Sequence, residues 1–208
     1  MQTITEILAE ELGQRKDYVE NVVTLLDEGN TVPFIARYRK EMHGAMDDQT
    51  IRTLADRLTY LRNLEARRQE VKNSIENQGK LTEELSAAID EAKTLAEVED
   101  IYRPYKQKRR TRATIAREKG LAPLAELLYA QQPDCPVPEE AAKEYVDEGK
   151  GVASVEEALA GASDIIAETI SDDADVRKDL RALYNEWADV VSVAAEKNPA
   201  DTVYRNYY

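Results

Sequence analysis

The chain has 208 residues, 42% apolar and 33% charged, with only 8 glycines and 7 prolines. It is too apolar to be disordered and is long enough for one large domain or two small ones. A formal charge of −13 argues against nucleic acid or an anionic membrane as partner of the chain as a whole. A lone cysteine, Cys135, excludes an internal disulfide and points to a reducing, cytoplasmic compartment. No apolar run nears the 18 residues of a membrane span, and residues 1–10 lack a basic leader before an apolar run, so no secretory signal is expected.

Helix-favouring residues dominate, and the predicted class is all-α, a multi-helix array. Thr3-Ile4-Thr5-Glu6 fits a capping box, and Gly13 can stop the helix that follows. A second helix runs from about 14 to 28, with Val19, Val22, Val23 and Leu26 as its stripe. Pro33 suits the first turn of a short helix. His43-Gly44-Ala45-Met46 reads as a loop, with Asp47 as the next cap. Ile51, Leu54, Leu58, Leu61, Leu64, Val71 and Ile75 then predict a helix of about 30 residues, from about 48 to 77. Thr82 opens a return helix through Ile89, giving a long helical hairpin over about 48–92. Thr94-Leu95-Ala96-Glu97 is a second capping box, and Pro104 ends its short helix.

Further helices are predicted at about 114–119, 123–130, 139–147, 155–170 and 175–187, the fourth opened by a box at Ser154–Glu157. Val190, Val191 and Val193 fit either a short strand near 190–194 or an extension of the last helix. The prolines of 131–138 mark the best candidate hinge. The expected organisation is a helical domain over 1–130, the hinge, and an acidic helical segment over 139–208. The ending at Tyr204–Tyr208, with no polar tail, suggests continuation into a missing downstream domain.

The parts of an active site are scarce. The one histidine, His43, reads as a solvated or capping loop side chain. One histidine and one cysteine cannot make a four-ligand zinc site. Cys135 follows Asp134, which would raise a thiol pKa, so a structural or incidental role is expected. Gly149-Lys150-Gly151 lacks the glycine spacing of a phosphate loop. The acid pairs at 47–48, 139–140 and 172–173 sit at helix starts, where they complement the dipole. No enzyme, cofactor, metal or small-molecule substrate is expected.

Charge is segregated. Residues 103–119 hold eight Lys/Arg against one acid, a local +7 that leaves −20 elsewhere. Arg103, Lys106, Lys108, Arg109, Arg110 and Arg112, with Tyr105 beside them, are what a phosphate-backbone contact needs, the tyrosine being able to stack on an unpaired base. The same cations could equally dock on acidic helices of their own chain. A smaller ledge, Arg37 and Arg39 after Pro33-Phe34-Ile35, could add to such a contact. The favoured reading there is a buried turn with its charged tips snorkelling outward.

Thr31-Val32-Pro33-Phe34-Ile35-Ala36-Arg37-Tyr38-Arg39-Lys40-Glu41 resembles a signature of the N-terminal region of the Tex family of bacterial transcription accessory proteins. Glu99-Asp100-Ile101-Tyr102-Arg103-Pro104-Tyr105-Lys106-Gln107-Lys108-Arg109-Arg110-Thr111-Arg112-Ala113 resembles another, continuing through Ala116–Leu121, and Ala158–Ile170 fits as well. The likeness covers essentially the whole chain and is weakest after Trp187. It implies a protein several times longer, with an RNase-H-like domain not known to carry a working nuclease site, helix-hairpin-helix elements and an oligonucleotide-binding barrel as the main nucleic-acid module. It implies similarity to eukaryotic transcription elongation factors, and RNA or DNA as partner of the full-length protein. It marks no catalytic residue here. The expectation is therefore a non-catalytic N-terminal helical part of a nucleic-acid-binding transcription accessory protein, either adding phosphate contacts or scaffolding the domains that bind. Contact with transcription machinery through the acidic C-terminal helices suits both, and no membrane contact is expected.

Overall fold

In a computed structural model that describes residues 2–106, 109–193 and 203, the chain is all-α. Eleven α-helices are present and no sheet among the described residues, only an isolated antiparallel bridge between Asp147 and Val152. No helix among them is long and apolar enough to cross a membrane. The chain divides into two compact units, Met1–Tyr105 and Lys106–Tyr208.

The first unit is organised by one helix. It contains α1 (Ile4–Leu12), α2 (Lys16–Asp27), α3 (Val32–Tyr38), α4 (Asp48–Glu76), α5 (Glu83–Glu91) and α6 (Leu95–Tyr102), followed by a 3₁₀ turn over Arg103–Tyr105. With 29 residues, α4 spans about 43 Å. Asp47 caps it by accepting from the Thr50 amide at 2.7 Å. Its seven buried apolar side chains contribute about 1.5–3 kcal/mol each by leaving water.

They serve two cores. Ile51, Leu54, Leu58 and Leu61 meet Leu8, Val19, Val22 and Ile35 of α1 to α3. Leu64, Val71 and Ile75 meet Ile89 of α5 and Val98 of α6. Cross-helix ion pairs edge the packing, Arg57–Glu11 at 2.6 Å, Arg62–Asp27 at 2.7 Å and Lys72–Asp90 at 2.6 Å. The hairpin is lopsided, because α5 has only nine residues and α6 covers part of α4 as well.

Capping boxes close the starts of α1 and α6, at Thr3–Glu6 and Thr94–Glu97. His43 corrects an expectation. It is fully buried rather than solvated, and neither ring nitrogen has a hydrogen-bond partner among the described residues. Two consecutive left-handed residues, Gly44 (φ 61) and Ala45 (φ 63), reverse the chain there. A side chain at position 44 would put its Cβ 2.2 Å from Cε2 of Tyr18, so the turn also requires the missing Cβ.

The second unit contains α7 (Arg112–Glu118), α8 (Ala122–Ala130), α9 (Pro138–Ala142), 3₁₀ turns at Lys143–Tyr145 and Glu148–Lys150, α10 (Val155–Asp172) and α11 (Ala174–Trp187). Its core is small-residue packing around α10. Ala158, Ala162 and Ile165 meet Ala113, Ala116, Leu121, Leu124, Ala125 and Ala142. Ser154 caps α10 by accepting from the Glu157 amide, but the Glu157 carboxylate takes the Ala153 amide at 2.8 Å, one residue before the position a capping box uses.

The division falls at Tyr105–Lys106, not at the Pro-rich stretch 131–138. That stretch joins α8 to α9, which share the α10 core, and the Cys135 thiol lies 3.8 Å from the Leu127 carbonyl. The strand considered near 190–194 is absent over 190–193, which have no regular structure and leave Val190, Val191 and Val193 exposed. Residue 194 lies outside the described residues. No residue of α11 is buried, and Leu180, Leu183, Tyr184 and Trp187 are exposed.

Candidate nucleic-acid interface

The basic segment begins in the first unit. Arg103 is exposed and already engaged by a partner. Tyr102 and Tyr105 are drawn inward, both packing against the core of Leu64, Val71 and Ile75. The Tyr102 hydroxyl bonds to Ser74 Oγ at 2.9 Å, and Arg67 lies 5.4 Å from its ring centroid. The Tyr105 carbonyl accepts from Gln78 Nε2 at 3.0 Å. Half-buried, Tyr105 offers little open ring face for a base.

The remaining cations belong to the second unit. Lys106 and Arg109 are exposed and make no ion pair among the described residues. Lys108 lies outside the described residues. Thr111 caps α7 by accepting from the Thr114 amide at 3.0 Å. Arg110 and Arg112 therefore stand at the positive end of a helix, where cations are disfavoured. Acids of the same unit offset this. Arg110 reaches Glu118 at 2.6 Å, and Arg112, 86% exposed, reaches Asp164 at 3.5 Å.

Further along, Arg117 and the Thr111 hydroxyl share the Glu168 carboxylate of α10. Lys119 Nζ donates to the Gly151 carbonyl at 2.6 Å. Exposed pairs of this kind are worth about 0–1 kcal/mol, so a phosphate could exchange for Glu118 or Asp164 at small cost.

The second ledge is more open than expected. Only Ile35 of α3 is fully buried. Phe34 and Tyr38, one turn apart, are exposed on the helix, their ring centroids 5.3 Å apart and tilted by 46°. Arg39 lies 5.4 Å from the Phe34 centroid and Arg37 6.0 Å from that of Tyr38. Neither arginine has an acidic partner among the described residues, nor does Lys40.

Two family models match the chain, the Tex-like protein N-terminal domain over residues 2–76 and the Tex central region-like model over 134–208. The transcriptional accessory protein Tex of Neisseria gonorrhoeae is 44% identical over 206 residues, 99% of this chain and 27% of that protein. The chain belongs to the Tex family. Protein tex of Bordetella pertussis is 51% identical over 174 residues, 84% of this chain and 22% of its own length. The human S1 RNA-binding domain-containing protein 1 is 29% identical over 182 residues, 86% of this chain and 18% of its own. This Tex-family chain spans about a quarter of the length of the bacterial relatives it matches.

The basic segment 103–112 of the Tex-family chain falls between the two matched stretches. The exposed aromatic pair on α3 is not among the contact residues expected from the sequence. Its signal is there: Phe34 and Tyr38 are four residues apart and flank the buried Ile35.

Proposed function

We propose that this chain is a non-catalytic helical part of a Tex-like, nucleic-acid-binding transcription accessory protein of the cytoplasm, adding phosphate-backbone contacts through its basic segment. The observation that carries the reading is the pair Lys106 and Arg109, exposed and without acidic partners among the described residues of a chain whose net charge is −13. With acids in such excess, cations left unneutralised are available to an external anion. Arg103, Lys108, Arg110 and Arg112 add charge within ten residues. The names of the relatives, transcriptional accessory protein and S1 RNA-binding domain-containing protein, support nucleic acid as that anion in the complete protein. They also support the absence of catalysis.

A second reading has its own support. Arg110–Glu118, Arg112–Asp164 and Arg117–Glu168 spend cations on the chain's own acids, as in a scaffold that orients other domains or meets transcription machinery.

The test is anisotropy of labelled single-stranded RNA and duplex DNA titrated with the chain across a salt series. Binding in the non-specific range, about 10⁻⁴ to 10⁻⁶ M, that weakens as salt rises supports the first reading. Signal flat at every salt concentration supports the scaffold.

A further inference from the structure

Every arginine of the first unit away from α3 and the 3₁₀ turn has an acid to bond. The pairs are Arg15–Asp17, Arg52–Asp48, Arg57–Glu11, Arg62–Asp27, Arg67–Glu99 and Arg68–Glu65. Arg37 and Arg39 lie on Tyr38 and Phe34 instead. Acids are not lacking nearby: Glu41 is exposed beside Lys40, while the two acids at the start of α4 are committed. Asp47 caps α4 through the Thr50 amide, and Asp48 pairs with Arg52 at 3.1 Å. What is left exposed is two neighbouring aromatic rings interleaved with three cations, counting Lys40, against one acid, Glu41.

We infer that the exposed face of α3 is a binding site for single-stranded nucleic acid, separate from the basic segment, in which Tyr38 and Phe34 stack on unpaired bases while Arg37, Arg39 and Lys40 hold the flanking phosphates. The inference rests on the reading that the chain handles nucleic acid. A phosphate draws each guanidinium off its ring through charge-assisted bonds, and the uncovered ring face takes a base. Stacking of this kind ignores sequence, since every base has a π-face. It demands a single strand, because a duplex hides its base faces. The rings are 5.3 Å apart, too close to admit a base between them, so the outer faces are used. Tyr38, 58% exposed, is the principal platform, and Phe34, 36% exposed, braces it.

The test uses the 208-residue chain and a single-stranded RNA dodecamer carrying 4-thiouridine, with photo-crosslinks mapped by mass spectrometry. Affinities are measured alongside for wild type, Tyr38→Ala, Tyr38→Phe and Arg37→Ala/Arg39→Ala. Crosslinks are expected within residues 34–40. Tyr38→Ala should weaken binding about 5- to 150-fold at an unchanged salt slope, and Tyr38→Phe should restore it. The arginine double variant should make the slope shallower by about 1.4. Crosslinks confined to residues 103–112, with Tyr38→Ala binding as wild type, overturn this site and leave the basic-segment reading standing. No crosslink and no salt-dependent binding overturns that reading along with it. A hexaglutamate peptide that protects the 34–40 region while RNA does not bind makes the ledge a protein-docking face, and also overturns the proposal.

Discussion

Gly161 of α10 faces Leu121 so closely that a Cβ built on it would stand 2.4 Å from Leu121 Cδ1 and 3.3 Å from the Ala116 Cβ. Both neighbours are buried, Leu121 at 1% exposure. Alanine at 161 would gain about 1 kcal/mol of helix propensity and lose about 1–3 kcal/mol to overpacking. Gly161→Ala should therefore lower stability by about 1 kcal/mol, read as a fall in the urea midpoint. Combined with Leu121→Ala, it should cost less than the two changes summed. An additive pair would show that α10 has room here.

Glu6 makes stability pH-dependent. Its carboxylate accepts from the Thr3 amide and from Lys16 Nζ, both at 2.9 Å, which holds its pKa at about 2 instead of the ordinary 4.5. A folded value below the unfolded one means the contribution is complete above about pH 4.5 and is lost as pH falls toward 2. Glu11 on Arg57, Asp27 on Arg62 and Asp47 at the α4 cap are lowered in the same sense. The melting temperature should drop across that window, and Glu6→Gln should flatten the drop. An unchanged profile in Glu6→Gln would remove Glu6 from this account.

His43 is a buried polar group with both nitrogens unpartnered among the described residues. Such a group costs about 1–3 kcal/mol, so His43→Leu, of similar size, should leave the melting temperature equal or raise it. A clear fall, with the same circular dichroism spectrum, would mean that the imidazole has a partner in solution.

Much of the fold is legible because its signals are local. The spacing of Ile51, Leu54, Leu58 and Leu61 sets the buried face of α4, and Thr3, Asp47, Thr82 and Thr94 mark helix starts. What escapes depends on tertiary neighbours. His43 reads as a loop residue until two left-handed residues after it reverse the chain. The prolines of 131–138 read as a hinge because nothing local reveals that α8 and α9 share one core. At the candidate interface, charge is visible in the sequence but its neutralisation is not. Asp164 and Glu168 lie about fifty residues from the cations they meet, and Tyr105 turns inward to a core that only folding assembles.

The ion-paired cations should behave differently from the open ones. Arg110→Ala/Arg112→Ala removes two surface pairs and relieves two cations at the α7 N-terminus. The opposing effects should keep stability within about 0.5 kcal/mol of wild type. A loss well beyond that, by urea titration, would favour the scaffold reading.

The most direct measurement is anisotropy of a labelled DNA duplex, from 50 to 200 mM salt, with wild type and with Lys106→Ala/Arg109→Ala. A salt-sensitive complex is predicted, its log–log slope shallower by about 1.8 in the variant, at an unchanged melting temperature. A duplex bound by neither protein, or bound with the same slope by both, would contradict it.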